Sequence, residues 1–363
     1  MIDRLLFQKT DIRTLAAFRV LVGIWFFADY VGMMLNGYMK AAFIDAQMHF
    51  TFIGFDWVQP WPAWGMYVHY SVLGLAALGI LLGYRYRLSL SIFLAGHMYV
   101  FLLDIVYTLN KYYLFALLAF LLLLMDAHRY WSLDARRKPE IKRMFTPRWT
   151  ILIFQVMLLL IYFYSGISKL NVDWMFHQQP MSDFLGRREY ITGLGDQFYQ
   201  TIVYVFTYGG VIFDLSIVWL LLAKRTRLFA ILLQGSFHLL NLTVLHIGTL
   251  SPFVGVATWF LFPTQWLKKR LDGRTWAEER VSVSPARRNW LIGFLAVFMV
   301  IQVLIPHRHY FTGNNVNWTE KGHRFSWRLM TRTKLGSRAF FRVVDPASNR
   351  QWMVNPREYL TGR

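Results

Sequence analysis

The sequence predicts an all-α fold: a polytopic transmembrane helical bundle of about nine spans with a short, β-containing C-terminal tail outside the cytoplasm. Three observations predict it. The chain is 56% hydrophobic and 16% charged, against about 45–50% apolar and about 25% charged in ordinary soluble domains. Apolar runs long enough to cross a hydrocarbon core of roughly 30 Å, at about 1.5 Å per helical residue, recur along the chain. After Pro306 these runs stop, and polar and aromatic residues take over.

The spans are centred on Ile24, Leu75, Phe93, Phe120, Leu158, Ile212, Leu232, Val256 and Val297. The formal charge of +19 would suggest nucleic acid in a soluble protein, but the basic residues sit between spans, where cytoplasmic loops are enriched in Lys and Arg. With the N-terminus and its Arg4, Lys9 and Arg13 inside, the next inner loops hold Arg85 and Arg87, the cluster from Arg129 to Arg148, Lys224 with Arg225 and Arg227, and a run from Lys268 to Arg288. The opposite loops are poorer in basic residues. The N-terminus lacks the pattern of a removable signal, so the first span is expected to act as its own insertion signal.

The outer loop FDWVQPWPAWG, Phe55 to Gly65, has the tryptophans and prolines of an interfacial belt. In the tail, RAFFRVVDPASNRQWMVNP alternates as strands do around a turn at DPASN. So short a tail has no room for a large core and is expected to pack on the outer ends of the spans. The expected division is a transmembrane domain over 1–306 and a non-cytoplasmic segment over 307–363, in which a luminal-type domain begins.

Several chemistries are excluded. The chain has no cysteine, hence no disulfide, iron–sulfur cluster or thiol nucleophile. It has no phosphate-binding loop, no HExxH and no HxxxH pair, and His307 and His309 flank a single arginine, so no metal is expected.

The most informative stretch is YSGISKLNVDWMF, Tyr164 to Phe176, which follows the apolar run ILIFQVMLLLIYF and puts Lys169 where a span should end. One reading is a helix cap that snorkels to the interface. Another is chemical: Ser165 and Tyr162 lie four and seven residues before Lys169 on one helical face. An amine held there, away from water, is a candidate general base. A third reading is a serine–lysine hydrolase dyad of Ser165 and Lys169. Further polar groups at costly depths are Asp104, His97, Asp126, Asp214, His238 and Asn241, and Arg19 is expected to pair with Asp29. The topology puts Asp104, Asn110, Lys111, Lys169, Asp173 and His246 near the outer face. His238 and Asn241, three residues apart, share a face and either line a pocket or bond to another helix.

The blocks YFYSGISKLNVDW, YVFLLD, LLAFLLLLMDAHRYWSLDARRK, LGYRYRLS, GGVIFDLS and SFHLLNLTVLHIG resemble the vitamin K-dependent gamma-glutamyl carboxylase family, in its bacterial horizontally transferred transmembrane (HTTM) form. The likeness runs from DIRTLAAFRV through NWTEKGHRFSWRLM to VNPREYL. It implies a multi-pass enzyme, here of a bacterial inner membrane, that converts vitamin K hydroquinone to its epoxide with dioxygen and uses the basic intermediate to carboxylate glutamate with carbon dioxide.

The implied partners are membrane lipid, the quinone and a glutamate-containing peptide or protein. The family's catalytic lysine falls on Lys169, with Tyr162, Asp104, Asn110, His238 and Asn241 shaping the quinone pocket. Lys111 stands where the family usually has a histidine, as a second catalytic candidate. Animal members also carry a disulfide and a long luminal portion that grips a propeptide, whereas this chain has no cysteine and stops at Arg363. The expectation is therefore quinone oxygenation, coupled or not to carboxylation. The alternatives are a non-catalytic scaffold or transporter that keeps the fold, and the serine–lysine hydrolase.

Overall fold

The computed structural model describes residues 2–46, 48–107, 109–262, 281–313, 315–332 and 341–355. The basic run from Lys268 to Arg280 and the Pro356–Leu360 part of the NPREYL block lie outside the described residues.

All nine expected spans are helices: α1 (Ile12–Leu35), α2 (Ala63–Leu82), α3 (Tyr86–Leu103), α4 (Asn110–Leu123), α5 (Trp149–Ser168), α6 (Asp196–Leu222), α7 (Arg227–Thr243), α8 (Leu250–Leu261) and α9 (Pro285–Leu304). α1, α2, α3, α5, α6 and the stretch that begins with α9 are long and apolar enough to cross a membrane. The protein is a multi-pass membrane protein. α4, α7 and α8 have only 14, 17 and 12 residues, so the shortest rises roughly 18 Å. Asn110 at the start of α4, Asn241 near the end of α7 and Leu250 at the start of α8 line two cavities between the helices and the tail.

α1 is the central helix. Asp11 caps it by accepting from the Arg13 amide at 2.8 Å. Gly23 lets α2 approach so closely that an added Cβ would stand 2.6 Å from the Leu81 Cα. Aromatic contacts then join α1 to its neighbours, with Trp25 stacked on Phe253 of α8 at 3.7 Å and Phe26 on Phe93 of α3 at 4.2 Å. Outward apolar side chains such as Ile212, Leu232 and Val297 are exposed, as a lipid-facing surface requires.

The expected pair of Arg19 and Asp29 does not form. Ten residues of helix separate them by about 15 Å along the axis. Arg19, fully buried, donates instead to the carbonyls of Trp131 at 2.6 Å and Ala127 at 3.4 Å. Asp29 binds Lys111.

The tail packs on the ends of the helices. Phe325 packs on Phe101 and Tyr113, and Trp327, 1% exposed, lies 5.2 Å from the Tyr113 ring. Arg324 donates to the Ile105 carbonyl at 3.2 Å, and the Asn110 amide to the Arg328 carbonyl at 3.2 Å. Two strands, β3 (Phe341–Val344) and β4 (Gln351–Val354), form an antiparallel hairpin around Asp345–Asn349. A second small pairing was not foreseen. β1 (Lys9–Asp11) pairs with β2 (Phe145–Pro147) and fastens the start of α1 to the start of α5.

Candidate active site

α5 ends at Ser168, and the chain cannot continue as helix because Asn171 caps the next turn, accepting from the Trp174 amide at 3.1 Å. Trp174 plugs the turn. It is 1% exposed and its indole donates to the Thr207 carbonyl of α6 at 3.0 Å. Lys169 therefore points back along α5 into the protein, 5% exposed, with its nitrogen 5.3 Å from the centre of the Trp174 ring. It does not snorkel.

The Lys169 Nζ donates to Asp214 Oδ2 of α6 at 2.5 Å, to Ser165 Oγ at 2.7 Å and to the Ser165 carbonyl at 3.2 Å. Ser165 Oγ donates to the same Asp214 oxygen at 2.7 Å. A buried ion pair tolerates its desolvation only with the help of further hydrogen bonds, and Ser165 supplies them to the Lys169 nitrogen and to Asp214 Oδ2. Gly166 brings the helices together here: an added Cβ would meet Leu215 Cδ2 at 2.6 Å and Asp214 Cβ at 3.2 Å.

These groups border a cavity of about 170 Å³ between α5, α6, α7 and α8. Its walls are mainly apolar, with Ile161, Phe206, Phe237, Leu250 and Val254 on the helices and Leu329 and Met330 reaching in from the tail. Tyr162, His238 and Asn241 line the same space. The Tyr162 hydroxyl lies 2.7 Å from His238 Nε2 and accepts from Gln234 Nε2 at 2.9 Å, and His238 Nδ1 lies 2.7 Å from Ser251 Oγ. The chain thus sets an ion pair and a hydrogen-bonded tyrosine–histidine pair in one apolar space.

A second cavity of about 370 Å³ adjoins the first, sharing Ile247, Leu250, Leu329 and Met330 as walls. Asn110 and Lys111 line this second cavity, together with His323, Arg324, Arg328 and Arg332 of the tail. Burial pulls the guanidinium pKa values of Arg324 and Arg328 below their usual value. Lys111 Nζ binds Asp29 Oδ1 at 2.6 Å, and Thr249 Oγ1 donates to the same oxygen at 3.2 Å.

Of the residues expected at a quinone pocket, Lys169, Tyr162, His238 and Asn241 meet at one cavity, and Asn110 and Lys111 at its neighbour. Asp104 lines neither. It ends α3, accepting from the Val106 amide at 2.9 Å and facing His49 Nδ1 at 3.4 Å. Sequence reasoning marked Asp214 as a costly intramembrane acid without connecting it to Lys169, although each buried charge calls for a partner of opposite sign. It passed over Gln234 and Ser251, for which only their polarity within apolar helices was a signal. Among the described residues no group of three or more metal-ligating side chains is present.

A family model described as the HTTM domain matches residues 7–266, and one described as the vitamin K-dependent gamma-carboxylase lumenal domain matches residues 287–363. No solved structure matches the chain. The first match takes in every helix around the Lys169 cavity and the second takes in Leu329 and Met330, which complete its wall, so the chain belongs to the vitamin K-dependent gamma-carboxylase family.

Proposed function

We propose that this protein is a membrane enzyme that oxygenates the hydroquinone of vitamin K to its epoxide, coupled or not to gamma-carboxylation of glutamate, with Lys169 as the base. The observation that carries this reading is a buried amine, fixed by two hydrogen-bond partners, at the wall of an apolar cavity that also holds the hydrogen-bonded Tyr162–His238 pair.

The residues fit a quinone of this class. Apolar walls suit its ring system, and two sets of polar groups suit the two oxygens of a para-quinol. Lys169 would engage one of these oxygens, and Tyr162, His238 and Asn241 the other. When bound, the reduced vitamin supplies the electrons for dioxygen and the strong base that the family uses to attach carbon dioxide to glutamate. The chain supplies position, exclusion of water by Ile161, Phe237 and Leu250, and proton transfer at Lys169 Nζ. Asn110 and Lys111 serve the second cavity, which we assign to the approach of the polar reactant. We place the N-terminus in the cytoplasm and the tail on the outer side of a bacterial inner membrane, with 1–306 as the membrane domain and 307–363 as the outer segment.

The test is epoxide formation from reduced vitamin K by the purified protein in air, for wild type beside Lys169→Ala. Epoxide that is lost in the variant is expected. Equal turnover in both would favour a scaffold or transporter that keeps the fold. The 2.7 Å contact of Lys169 with Ser165 keeps the hydrolase reading in view, but Ser165 gives its hydrogen to Asp214, not to the amine as a serine nucleophile must. A Ser165→Ala variant that loses all activity would revive it.

A further inference from the structure

As an ammonium, Lys169 has three hydrogens, and the structure places three acceptors around it: Asp214 Oδ2, Ser165 Oγ and the Ser165 carbonyl. A nitrogen so arranged has no free electron pair, so it cannot accept a proton until it has given one away. His238 is not placed to be the recipient, because its ring nitrogens face the Tyr162 hydroxyl and Ser251 Oγ, each at 2.7 Å, and not Lys169. Among the described residues lining the cavity, Asp214 is the one carboxylate, and its Oδ2 is the closest atom to Lys169 Nζ in this set.

We propose that Asp214 is the store for the proton that Lys169 takes up. This rests on the reading that a quinol binds in the Lys169 cavity, and deepens it. An N–H bond of Lys169 breaks as an O–H bond forms on Asp214 Oδ2, leaving amine and carboxylic acid. The amine then takes the proton of the ligand's hydroxyl, whose bonding electrons stay on the ligand oxygen. The net transfer is from ligand to carboxylate, with no further reactant. Lys169 ends as an ammonium facing the new negative charge, so one side chain both relays the proton and stabilises what the proton leaves behind. Ser165, which bonds to both partners, keeps the transfer distance short. Asp214 acts through Lys169 and is a positioning residue in that sense.

The test uses the purified full chain without oxygen, with vitamin K hydroquinone as the probe. Difference infrared spectroscopy reads the carbonyl stretch of a protonated carboxyl, and quenching of tryptophan fluorescence reads binding, since Trp174 lines the cavity. The expected result is a carboxyl band that appears with hydroquinone in wild type, is absent from Asp214→Asn and is displaced in Asp214→Glu. Asp214→Asn is expected to bind within a few-fold of wild type yet turn over about 100-fold or more slowly, and Asp214→Glu to recover part of the loss.

A band that persists in Asp214→Asn, a band unmoved in Asp214→Glu, or turnover in Asp214→Asn within a few-fold of wild type would overturn the proposal and leave Lys169 as sole acceptor. Should Asp214→Asn not fold, the wild-type and Asp214→Glu spectra still decide. If wild type shows neither quenching nor a band, the quinone reading itself fails. Binding and turnover without any band overturn the proton store alone.

Discussion

The Tyr162 hydroxyl lies 2.7 Å from His238 Nε2 while accepting a hydrogen from Gln234 Nε2 at 2.9 Å. Gln234 Nε2 also lies 3.1 Å from the Val254 carbonyl and 3.0 Å from Thr258 Oγ1, and His238 Nδ1 lies 2.7 Å from Ser251 Oγ, so these side chains form one hydrogen-bonded chain. Removing one member of such a chain costs about 1–2 kcal/mol. Tyr162→Phe and His238→Gln should each weaken hydroquinone binding about 10-fold, with the double variant well short of the product of the two. KM and kcat measured on the three variants check this, and independent, multiplying effects would contradict a single hydrogen-bonded chain.

A second buried pair gives a stability prediction. Lys111 and Asp29 side chains are 17% and 4% exposed and meet at 2.6 Å. Removing one partner of such a pair strands a charge at a cost of about 3–5 kcal/mol, whereas removing both is nearly neutral. Lys111→Met should lower the thermal midpoint sharply, and Lys111→Met with Asp29→Asn should restore most of the loss. Unfolding in detergent, followed as a double-mutant cycle, reads the coupling. Additive losses would show that the contact contributes little.

The tail should loosen in acid. His323 is 9% exposed, and burial first, then the nearby Arg332 and Arg328, lower its pKa from 6.5 to about 3. A neutral folded histidine with an ordinary unfolded value means that the unfolded state binds more protons between these limits. Stability is therefore full above pH ~6.5 and declines as the pH falls towards 3. The thermal midpoint of wild type should drop over that window more steeply than that of His323→Gln. Equal slopes would place the acid sensitivity elsewhere.

Much of this architecture was legible in the chain itself. Hydropathy located all nine helices, and the alternation around DPASN gave the hairpin of β3 and β4. The Ser165, Tyr162 and Lys169 face followed from helical spacing alone, and Ser165 does bond to Lys169. What failed was the choice of partners. Arg19 and Asp29 were matched because they share a helix and have opposite charges, although a helix holds residues ten apart too far from each other. Asp104 was grouped with the pocket because it lies at the same end of the spans, yet its carboxylate turns to its own following turn and His49.

The sequence by itself determined that the chain crosses a membrane, where its helices run and that a lysine ends the fifth of them. Those facts depend on local composition and on the period of one helix. The tertiary structure decided that Lys169 turns inward to Asp214, 45 residues away, and that Lys111 belongs to Asp29 and a separate cavity. Partner choice depends on which helical faces touch and how closely. That is fixed by packing at points such as Gly23, where two helices approach until an added Cβ would stand 2.6 Å from the Leu81 backbone.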